Sequence, residues 1–353
     1  MNQYQNDMNY VEYYQLPLKI FTKIFHLNLK VAFIEAQFKD WDVKAKQGII
    51  RFFENTASYE NELGKDLYQF NIVEMQKLFV NLEITTKGTF SNRKYIIKQY
   101  LDWCVSEQII PLSNEEWLDN FKYENFSIDS LIEKKYFKSF EHLKCGIDSI
   151  IKFVSPTDIH QFDIMEISFY LSWFGLTAKQ ICNLKQNDID YKNHCVIIDN
   201  RKYYINEYVK DLIYNYLKTD GYYAGILIVK GENEFFDRKY QNTDFLLRRL
   251  MSSVSENYEP REIQSKFSAY AFKRTQQFDD NNLYKNHKFN LKDIYDSGCF
   301  CRLYEYTQET GTDISNLDID TMKNILLVTD LSSSKRTNLI AIFNNWETTF
   351  QIN

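Results

Sequence analysis

The sequence predicts a mainly α-helical protein, with an all-α N-terminal domain and a helical C-terminal domain that contains a small β-hairpin. Apolar residues recur at helical spacing through most of the chain, and several of these segments follow a Ser, Thr, Asp or Asn residue that can cap a helix. The 353 residues include only 10 glycines and 4 prolines, which disfavours an all-β or loop-rich architecture. The length is sufficient for two domains.

The N-terminal part is predicted to be helical almost throughout. Residues 1–28 are polar and aromatic, and we interpret them as an arm or a first helix. Residues 29–128 are predicted to form the all-α domain. Within it, Asp42, Asn71 and Ser91 each precede an amphipathic run, so each is predicted to be the N-cap of a helix.

Residues 129–353 are predicted to form the second domain. The stretch that leads into it is less regular, although SNEE at 113–116 has the spacing of a capping box and predicts a short helix. An apolar helix is predicted from Asp163 to Gly175. Thr177 then has the position of an N-cap for a second, shorter helix.

The segment that follows these helices changes its hydrophobic pattern. HCVIIDNRKYYI at 194–205 predicts two short strands around a turn. Asn206 can cap the next helix, and Gly221 is predicted to close it. Four or five more helices are predicted after this point.

Composition and charge are those of an ordinary soluble globular protein, with 44% hydrophobic and 25% charged residues. The net charge of −6 argues against a uniformly basic surface of the kind that coats nucleic acid. The charge is nevertheless segregated. Residues 261–274 contain four basic and one acidic residue, whereas residues 290–331 contain three basic and eight acidic residues. This asymmetry is consistent with one face towards a polyanion, and equally with ordinary solvated helices.

Several classes of function find no support in the sequence. The six cysteines form no CxxC pair and the five histidines are scattered, so we expect no metal and no cofactor. GxxxxGK[ST], GxGxxG after a strand, and HExxH do not occur. No apolar run reaches the ~18 residues of a membrane span, and the first residues lack the features of a signal peptide. We therefore expect a cytoplasmic protein without a membrane partner.

Two motifs and the order of the elements resemble the tyrosine recombinases of the phage integrase family. GLTAKQICNLKQNDID at 175–190 is similar to the family pattern G-L-R-x-S-E-L-x-x-L-x-x-x-D-I-D, and SAYAFKRT at 268–275 is more weakly similar to H-x-L-R-H-T. The resemblance covers roughly residues 29–353. It implies a core-binding domain followed by a recombinase-like domain, which together hold duplex DNA.

The chemistry that the family requires is largely missing at the matching positions. Strand cleavage needs a tyrosine nucleophile, guanidinium groups on the phosphate oxygens and a proton donor, usually a lysine on the hairpin. Lys202, beside Arg201, matches the hairpin lysine. The remaining matches are degenerate: an arginine position falls on Thr177, the histidine position on Tyr270, the second arginine position on Lys273 and the tyrosine position on Phe343.

The nucleophile is the sharpest of these tests. The chain has 26 tyrosines, yet none follows Tyr306, and the last helix reads TNLIAIFNNWETTF. Tyr304 and Tyr306 are the nearest tyrosines, but both are out of register with the family position. We therefore expect no enzyme activity and a scaffold that binds DNA without cutting it.

A narrower resemblance indicates what such a scaffold does. DIYDSGCFCRLYEYTQE at 293–309 and FNNW at 343–346 are similar to the integrase-like master repressors of SPβ-type prophages. This implies a sequence-specific repressor that maintains lysogeny, with operator DNA as its partner and a phage-encoded antirepressor protein or peptide as a further candidate partner. An active recombinase with displaced catalytic groups and a helical adaptor for other proteins stay open as alternatives. The oligomeric state is not predicted.

Phosphate contacts require Lys or Arg side chains, or the N-terminus of a helix. The predicted contacts of the N-terminal domain are Lys44, Lys46, Arg93 and Lys94. Those of the C-terminal domain are Arg201, Lys202, Arg248, Arg249, Lys266, Lys273 and Arg274, together with Ser333, Ser334, Lys335 and Arg336 at the start of the last helix.

Overall fold

The computed structural model describes residues 3–110, 121–123, 129–229, 232–285 and 287–350, with side chains described outside 3–8 and 223–237. The chain divides into two compact units, Met1–Leu131 and Ile132–Asn353. Helices dominate the structure and the strands form small antiparallel sheets, so the predicted fold class is confirmed. The short helix predicted at 113–116 lies outside the described residues. In the described part of the chain, no helix is both long and apolar enough to cross a bilayer.

The N-terminal unit is a set of helices around one apolar core. Residues 1–28 contribute to this core directly, because Leu16, Ile20 and Phe21 are buried in it together with residues of the later helices. This segment is therefore an integral part of the unit. Its helices are α1 (Gln3–Tyr14), α2 (Leu18–Phe21), α3 (Leu27–Gln37), α4 (Val43–Leu63), α5 (Ile72–Asn81) and α6 (Lys87–Ser106).

Two of the three N-caps predicted for this unit are confirmed. The Asp42 carboxylate accepts a hydrogen bond from the backbone N–H of Ala45, and Asn71 forms a capping box with Glu74. The prediction of Ser91 is wrong, because α6 begins one turn earlier behind Thr86, whose hydroxyl accepts from the N–H of Thr89.

The earlier start of α6 has a packing reason. The added first turn carries Phe90, which is 3% exposed and meets the ring of Phe79 edge-on at 5.1 Å. Beginning the helix after Ser91 would leave this aromatic side chain on irregular backbone. Burial of the ring therefore outweighs the capping preference of a serine.

A buried ionic cluster connects α3, α4 and the following loop. The Lys30 ammonium, 1% exposed, lies 2.9 Å from the carboxylate of Glu60 and 2.7 Å from that of Asp66. Tyr100 donates to Asp66 at 2.9 Å, and Thr56 donates to Glu60 at 2.7 Å. Burial raises the pKa of Glu60, and the neighbouring Lys30 ammonium opposes this effect.

The C-terminal unit is built around α9, which is buried along most of its length. Its helices are α7 (Asp129–Lys135), which begins before the division between the units, α8 (Phe140–Ile151), α9 (Ile159–Trp173), α10 (Ala178–Asn183), α11 (Glu207–Lys218), α12 (Pro260–Thr275), α13 (Leu291–Thr310), α14 (Ile319–Leu326) and α15 (Ser333–Phe350). The sequence placed the start of α9 at Asp163, but the helix begins four residues earlier. The turn at Pro156–Asp158 leads directly into it and allows Phe162 to be buried.

Helices α9 and α13 approach so closely at one point that only glycine fits there. A Cβ atom on Gly298 would lie 2.0 Å from the carbonyl oxygen of Trp173. One helical turn later, Arg302 donates to the same oxygen at 2.8 Å. Near the start of α13, the hydroxyl of Ser172 donates to the carbonyl of Leu291 at 3.0 Å. These contacts fix the position of α13 against the end of α9.

The predicted hairpin is confirmed and is part of a larger sheet. Strands β1 (Ile189–Asp190), β2 (Cys195–Ile198) and β3 (Arg201–Tyr204) pair antiparallel in that order. Asp199 and Asn200 form the tight turn and both have positive φ, which Asx residues tolerate. The predicted cap Asn206 accepts from the N–H of Val209 and starts α11.

A second antiparallel pair, β4 (Gly221–Val229) with β5 (Glu232–Lys239), was not predicted. The sequence assigned Gly221 to the end of α11, but α11 ends at Lys218 with Thr219 as its C-cap. Gly221 instead pairs with Lys239, and a Cβ atom there would lie 2.5 Å from the carbonyl oxygen of Arg238. The same residue type serves a helix end and a close strand pair, so the sequence signal was ambiguous.

Replacement of Lys30 by Ala is expected to lower the free energy of unfolding by about 3–5 kcal/mol, because it leaves two buried carboxylates without their counter-ion. Urea denaturation measures the change. Lys44→Ala, at an exposed position of α4, is the control and is expected to stay within about 0.5 kcal/mol of the parent. Equal midpoints for the two variants would contradict the proposed role of the cluster.

Replacement of Gly298 by Ala is expected to cost about 3 kcal/mol of stability, since α9 and α13 must separate to admit the methyl group. Gly48→Ala is the matched control: Gly48 also lies inside a helix, has open space around its missing Cβ, and is expected to gain up to about 1 kcal/mol from helix propensity. Thermal unfolding distinguishes the two. A stabilised Gly298→Ala variant would show that the helices do not approach this closely.

Candidate nucleic-acid interface

The turn between α9 and α10 is a structural cap in this chain. Gly175 has φ +101°, which turns the backbone sharply after the apolar helix. The hydroxyl of Thr177 donates to the side chain of Gln180 at 2.8 Å, and the two residues form a capping box. Gln180 also donates to the hydroxyl of Tyr203 on β3 at 2.8 Å. The position where the family resemblance implies an arginine is therefore exposed, uncharged and used to start a helix.

A guanidinium does reach this end of α9, but it comes from α13. Arg302 donates to the carbonyl of Trp173 at 2.8 Å and to that of Ile325 at 3.2 Å, so it caps the last turns of two helices. A Cβ atom on Gly175 would lie 3.4 Å from its Nη2 atom. Sequence reasoning gave Arg302 no role, because the residue is remote from the turn in the chain.

The hairpin brings two basic residues to the same region, with different roles. Arg201 donates to the carbonyl oxygen of Leu327 at 2.9 Å, which ties β3 to the end of α14. Lys202 is exposed and lines a cavity of about 650 Å³ together with Trp173 and Arg302. The hairpin lysine predicted from the sequence is thus the basic residue of this pair that faces solvent.

The last residues of the second predicted motif, SAYAFKRT at 268–275, contact the segment just before α9. Arg274 forms an ion pair with Asp158, directly before the first residue of α9, and its guanidinium covers the ring of Tyr270 at 5.0 Å. The 15 residues of α9 span about 22 Å at 1.5 Å per residue. The contact of Arg274 with Asp158 and Tyr270 therefore lies near the start of α9, whereas Thr177 follows its end.

The two tyrosine candidates and the matched phenylalanine have different surroundings in the fold. Phe343 is 1% exposed and lies in the core, where it stacks against Trp346 at 5.9 Å and meets Phe300 edge-on at 6.3 Å. Tyr304 is half-buried, lines the cavity beside Lys202 and meets Trp346 edge-on at 6.4 Å. Tyr306 is also half-buried, one turn short of the end of α13. Of these positions, Tyr304 is the one that the fold brings to the cavity.

Two of the predicted phosphate contacts are buried, so the structure removes them from the set. Lys46 is 2% exposed, and its ammonium lies 2.8 Å from the carboxylate of Glu35. Arg248 is 8% exposed; it donates to the carbonyl of Thr219 at 2.7 Å and lies over the rings of Tyr216 and Tyr240. Burial behind internal partners keeps both cations from a phosphate on the surface.

The remaining predicted arginines and Lys94 are half-buried and each has a contact within the fold. Burial over the ring of Phe52 lowers the pKa of Arg93. The other contacts are those of Lys94 with the carbonyl of Phe121, Arg249 with Glu262, Arg274 with Asp158, and Arg336 with the carbonyls of Ser315 and Leu317.

The exposed members of the predicted set are lysines and serines. Lys266 pairs with Glu262 at 2.8 Å, and Lys335 lies 3.5 Å from Asp330. Within the described residues, Lys44, Lys202 and Lys273 have no carboxylate at ion-pair distance. Ser333 and Ser334 are exposed at the N-terminus of α15, as predicted. Among the residues described, no cluster of His, Cys, Asp and Glu suitable for a metal ion occurs.

Residues 24–107 match the family model described as "MrpR, N-terminal core-binding domain". The predicted resemblance to core-binding domains is thereby confirmed for this part of the chain. No curated protein matches the sequence at a significant level.

The chain is also similar in structure to recombinases at low sequence identity. XerA recombinase is 12% identical over 92% of this chain and 98% of its own, with a TM-score of 0.37. The Tn1549 transposon integrase in complex with circular intermediate DNA is 14% identical over 88% and 97%, with a TM-score of 0.35. The same integrase with transposon right end DNA is 13% identical over 88% and 96%, with a TM-score of 0.34.

Adjacent substitutions at the end of α12 distinguish an internal cation from a surface cation. Arg274→Gln is expected to lower the free energy of unfolding by about 1–2 kcal/mol, because it removes the ion pair to Asp158 and the contact with Tyr270. Lys273→Gln, one residue earlier and exposed, is expected to change it by less than about 0.5 kcal/mol. Urea titration of both variants tests this, and equal destabilisation would contradict the assignment.

Proposed function

We propose that this chain binds duplex DNA sequence-specifically and represses transcription, without cutting the DNA strand. The observation that carries the proposal is the turn after α9, where a capping threonine occupies the place of a phosphate-binding arginine. A threonine hydroxyl that is already bonded to Gln180 cannot supply the two parallel donors of a guanidinium. Without such donors, the charge that develops during strand cleavage has no electrostatic stabilisation at this position.

Two further observations support a non-catalytic role. The position matched to the nucleophile is Phe343, a buried core residue. Arg302 lies near the turn, but its donors are directed at the carbonyl oxygens of Trp173 and Ile325 and at the sulfur of Cys299. A guanidinium that caps two helices is a structural cation and not a free clamp for phosphate.

DNA binding is supported by the resemblance of the N-terminal unit and by the exposed cations. Residues 24–107 match a core-binding domain model. In the described residues of the two units, Lys44, Lys202 and Lys273 face solvent without an ion-pair partner. Their ammonium groups are available to displace counter-ions from phosphates, which supplies affinity that falls with salt.

The repressor role rests on the narrower resemblance. The family model that matches is that of MrpR, and the sequence at 293–309 and 343–346 resembles integrase-like prophage repressors. We therefore propose that operator DNA of a phage is the partner, that the protein maintains lysogeny in the bacterial cytoplasm at the nucleoid, and that a phage-encoded antirepressor releases it.

One observation favours a second candidate, an active recombinase that uses a displaced nucleophile. Tyr304 lines the same cavity as Lys202, so a tyrosine hydroxyl and a proton donor share one surface of the C-terminal unit. This candidate predicts a covalent adduct between Tyr304 and a DNA strand. Tyr304→Phe would abolish that adduct.

The test is selection of bound fragments from phage and host DNA by the purified chain at ~150 mM salt, followed by a denaturing gel. We expect enrichment of a shared motif with no covalent adduct. An adduct lost in Tyr304→Phe would support the recombinase. No enrichment would contradict DNA binding and favour an adaptor that binds other proteins.

On the selected motif, Lys202→Gln and Lys273→Gln are each expected to weaken binding and to reduce the slope of log affinity against log salt by about 1. Lys152→Gln, exposed on the same unit but outside the predicted set, is the control. Unchanged slopes for Lys202→Gln and Lys273→Gln would remove these lysines from the interface while leaving DNA binding itself intact.

A further inference from the structure

The cavity of the C-terminal unit has aromatic side chains on two sides. Phe140 lies 6.2 Å from Trp173 and 5.5 Å from Phe174 between ring centroids, at the start of α8 and the end of α9. Tyr304 and Trp346, from α13 and α15, lie 6.4 Å apart. All five residues line the same space of about 650 Å³; Trp346 and Trp173 are 0% and 5% exposed, so the rings open to it are those of Phe140, Phe174 and Tyr304. A volume of this size suits a small organic ligand.

The cavity is positively charged although the whole chain is acidic. Lys138 and Lys202 line it and are exposed, and within the described residues neither ammonium has a carboxylate at ion-pair distance. Arg302 adds a third positive charge, whose hydrogen bonds go to carbonyl oxygens and a sulfur. Glu305 is the acidic residue among those that line the cavity, and burial raises its pKa. Lysines without counter-ions beside aromatic surfaces indicate a ligand that is both anionic and flat.

We infer that this cavity binds a nucleoside phosphate. Any of the nucleobases can stack on aromatic side chains. The phosphate of the nucleotide accepts charge-assisted hydrogen bonds from lysines. Asn206 and Glu305 line the cavity and supply the donor and acceptor atoms that the edge of a base requires. A nucleoside phosphate can reach the cavity from two sources: as a free mononucleotide or as an unpaired nucleotide of a DNA strand. The second source rests on the proposed DNA binding, and the first does not.

The binding test is isothermal titration of the full chain with AMP, dTMP, adenosine and inorganic phosphate in separate experiments. We expect both mononucleotides to bind more tightly than adenosine or phosphate alone, because base and phosphate are held together. The double variant Lys138→Gln, Lys202→Gln is expected to weaken mononucleotide binding roughly tenfold or more. Tyr204→Ala, at a cavity residue that is 65% exposed, tests stacking without disturbing the core.

The control variant is Lys152→Gln, which removes an exposed lysine of the same unit outside the cavity and is expected to bind mononucleotides like the parent. Thermal unfolding of each variant verifies that it is folded. Equal affinity for mononucleotides in the double variant and in the parent would overturn the assignment to this cavity.

The second arm compares a fully paired duplex with the same duplex carrying one unpaired nucleotide. Tighter binding of the second duplex, lost in the double variant but kept in Lys152→Gln, would identify the DNA strand as the source. Mononucleotide binding without duplex binding would support the cavity and contradict the proposed function. A third outcome is duplex binding that does not change with an unpaired nucleotide, together with no binding of mononucleotides. This outcome would overturn the ligand proposed for the cavity and leave the proposed DNA binding intact.

Discussion

The close approach of α9 and α13 at Gly298 is the constraint on which the C-terminal unit depends. The backbone of α9 comes so near that its last carbonyl, that of Trp173, occupies the place of a side chain on α13. This contact fixes the position of α13 along its own axis relative to the end of α9. Arg302, one turn later, therefore reaches that same carbonyl. The position of Gly298 therefore fixes the turn after α9, the cavity beside it and Tyr304, the aromatic residue of α13 that lines this cavity. A larger residue would move all three together.

The turn after α9 keeps its shape without a charged side chain. The turn after α9 is maintained by Gly175 and by the capping box of Thr177 with Gln180, which is joined to β3 through Tyr203. These interactions are local hydrogen bonds that require no charge. A charged residue is therefore not needed at position 177 to hold the backbone of this turn.

Arginines and lysines have different roles in this protein. Arg201, Arg248 and Arg336 donate to backbone carbonyls and connect distant elements, because the rigid, planar guanidinium presents several donors at once. The long, flexible lysine stem keeps its ammonium in water more readily. Lys46 and Lys30 are the exceptions, since each meets carboxylates inside the N-terminal unit. The exposed cations of the candidate interface are consequently lysines, while the arginines named here stabilise the fold.

The sequence by itself determined the features that depend on neighbouring residues. Asp42, Asn71, Thr177 and Asn206 were identified as caps because a capping side chain bonds to an N–H two or three positions ahead. The hairpin around Asp199 followed from two short strand-like runs on either side of a turn. The composition of residues 307–353, which contain no tyrosine, is likewise read from the sequence alone.

Tertiary structure alone decided which cations are available and which elements meet. The burial of Arg248, the arrival of Arg302 beside Gly175 and the ion pair of Arg274 with Asp158 depend on contacts between segments far apart in the chain. The pairing of Gly221 with Lys239 was likewise hidden, because a glycine that ends a helix and one that admits a neighbouring strand look alike in sequence. Local hydrogen bonds depend on residues that are adjacent in the sequence, whereas burial and charge pairing depend on packing between distant segments.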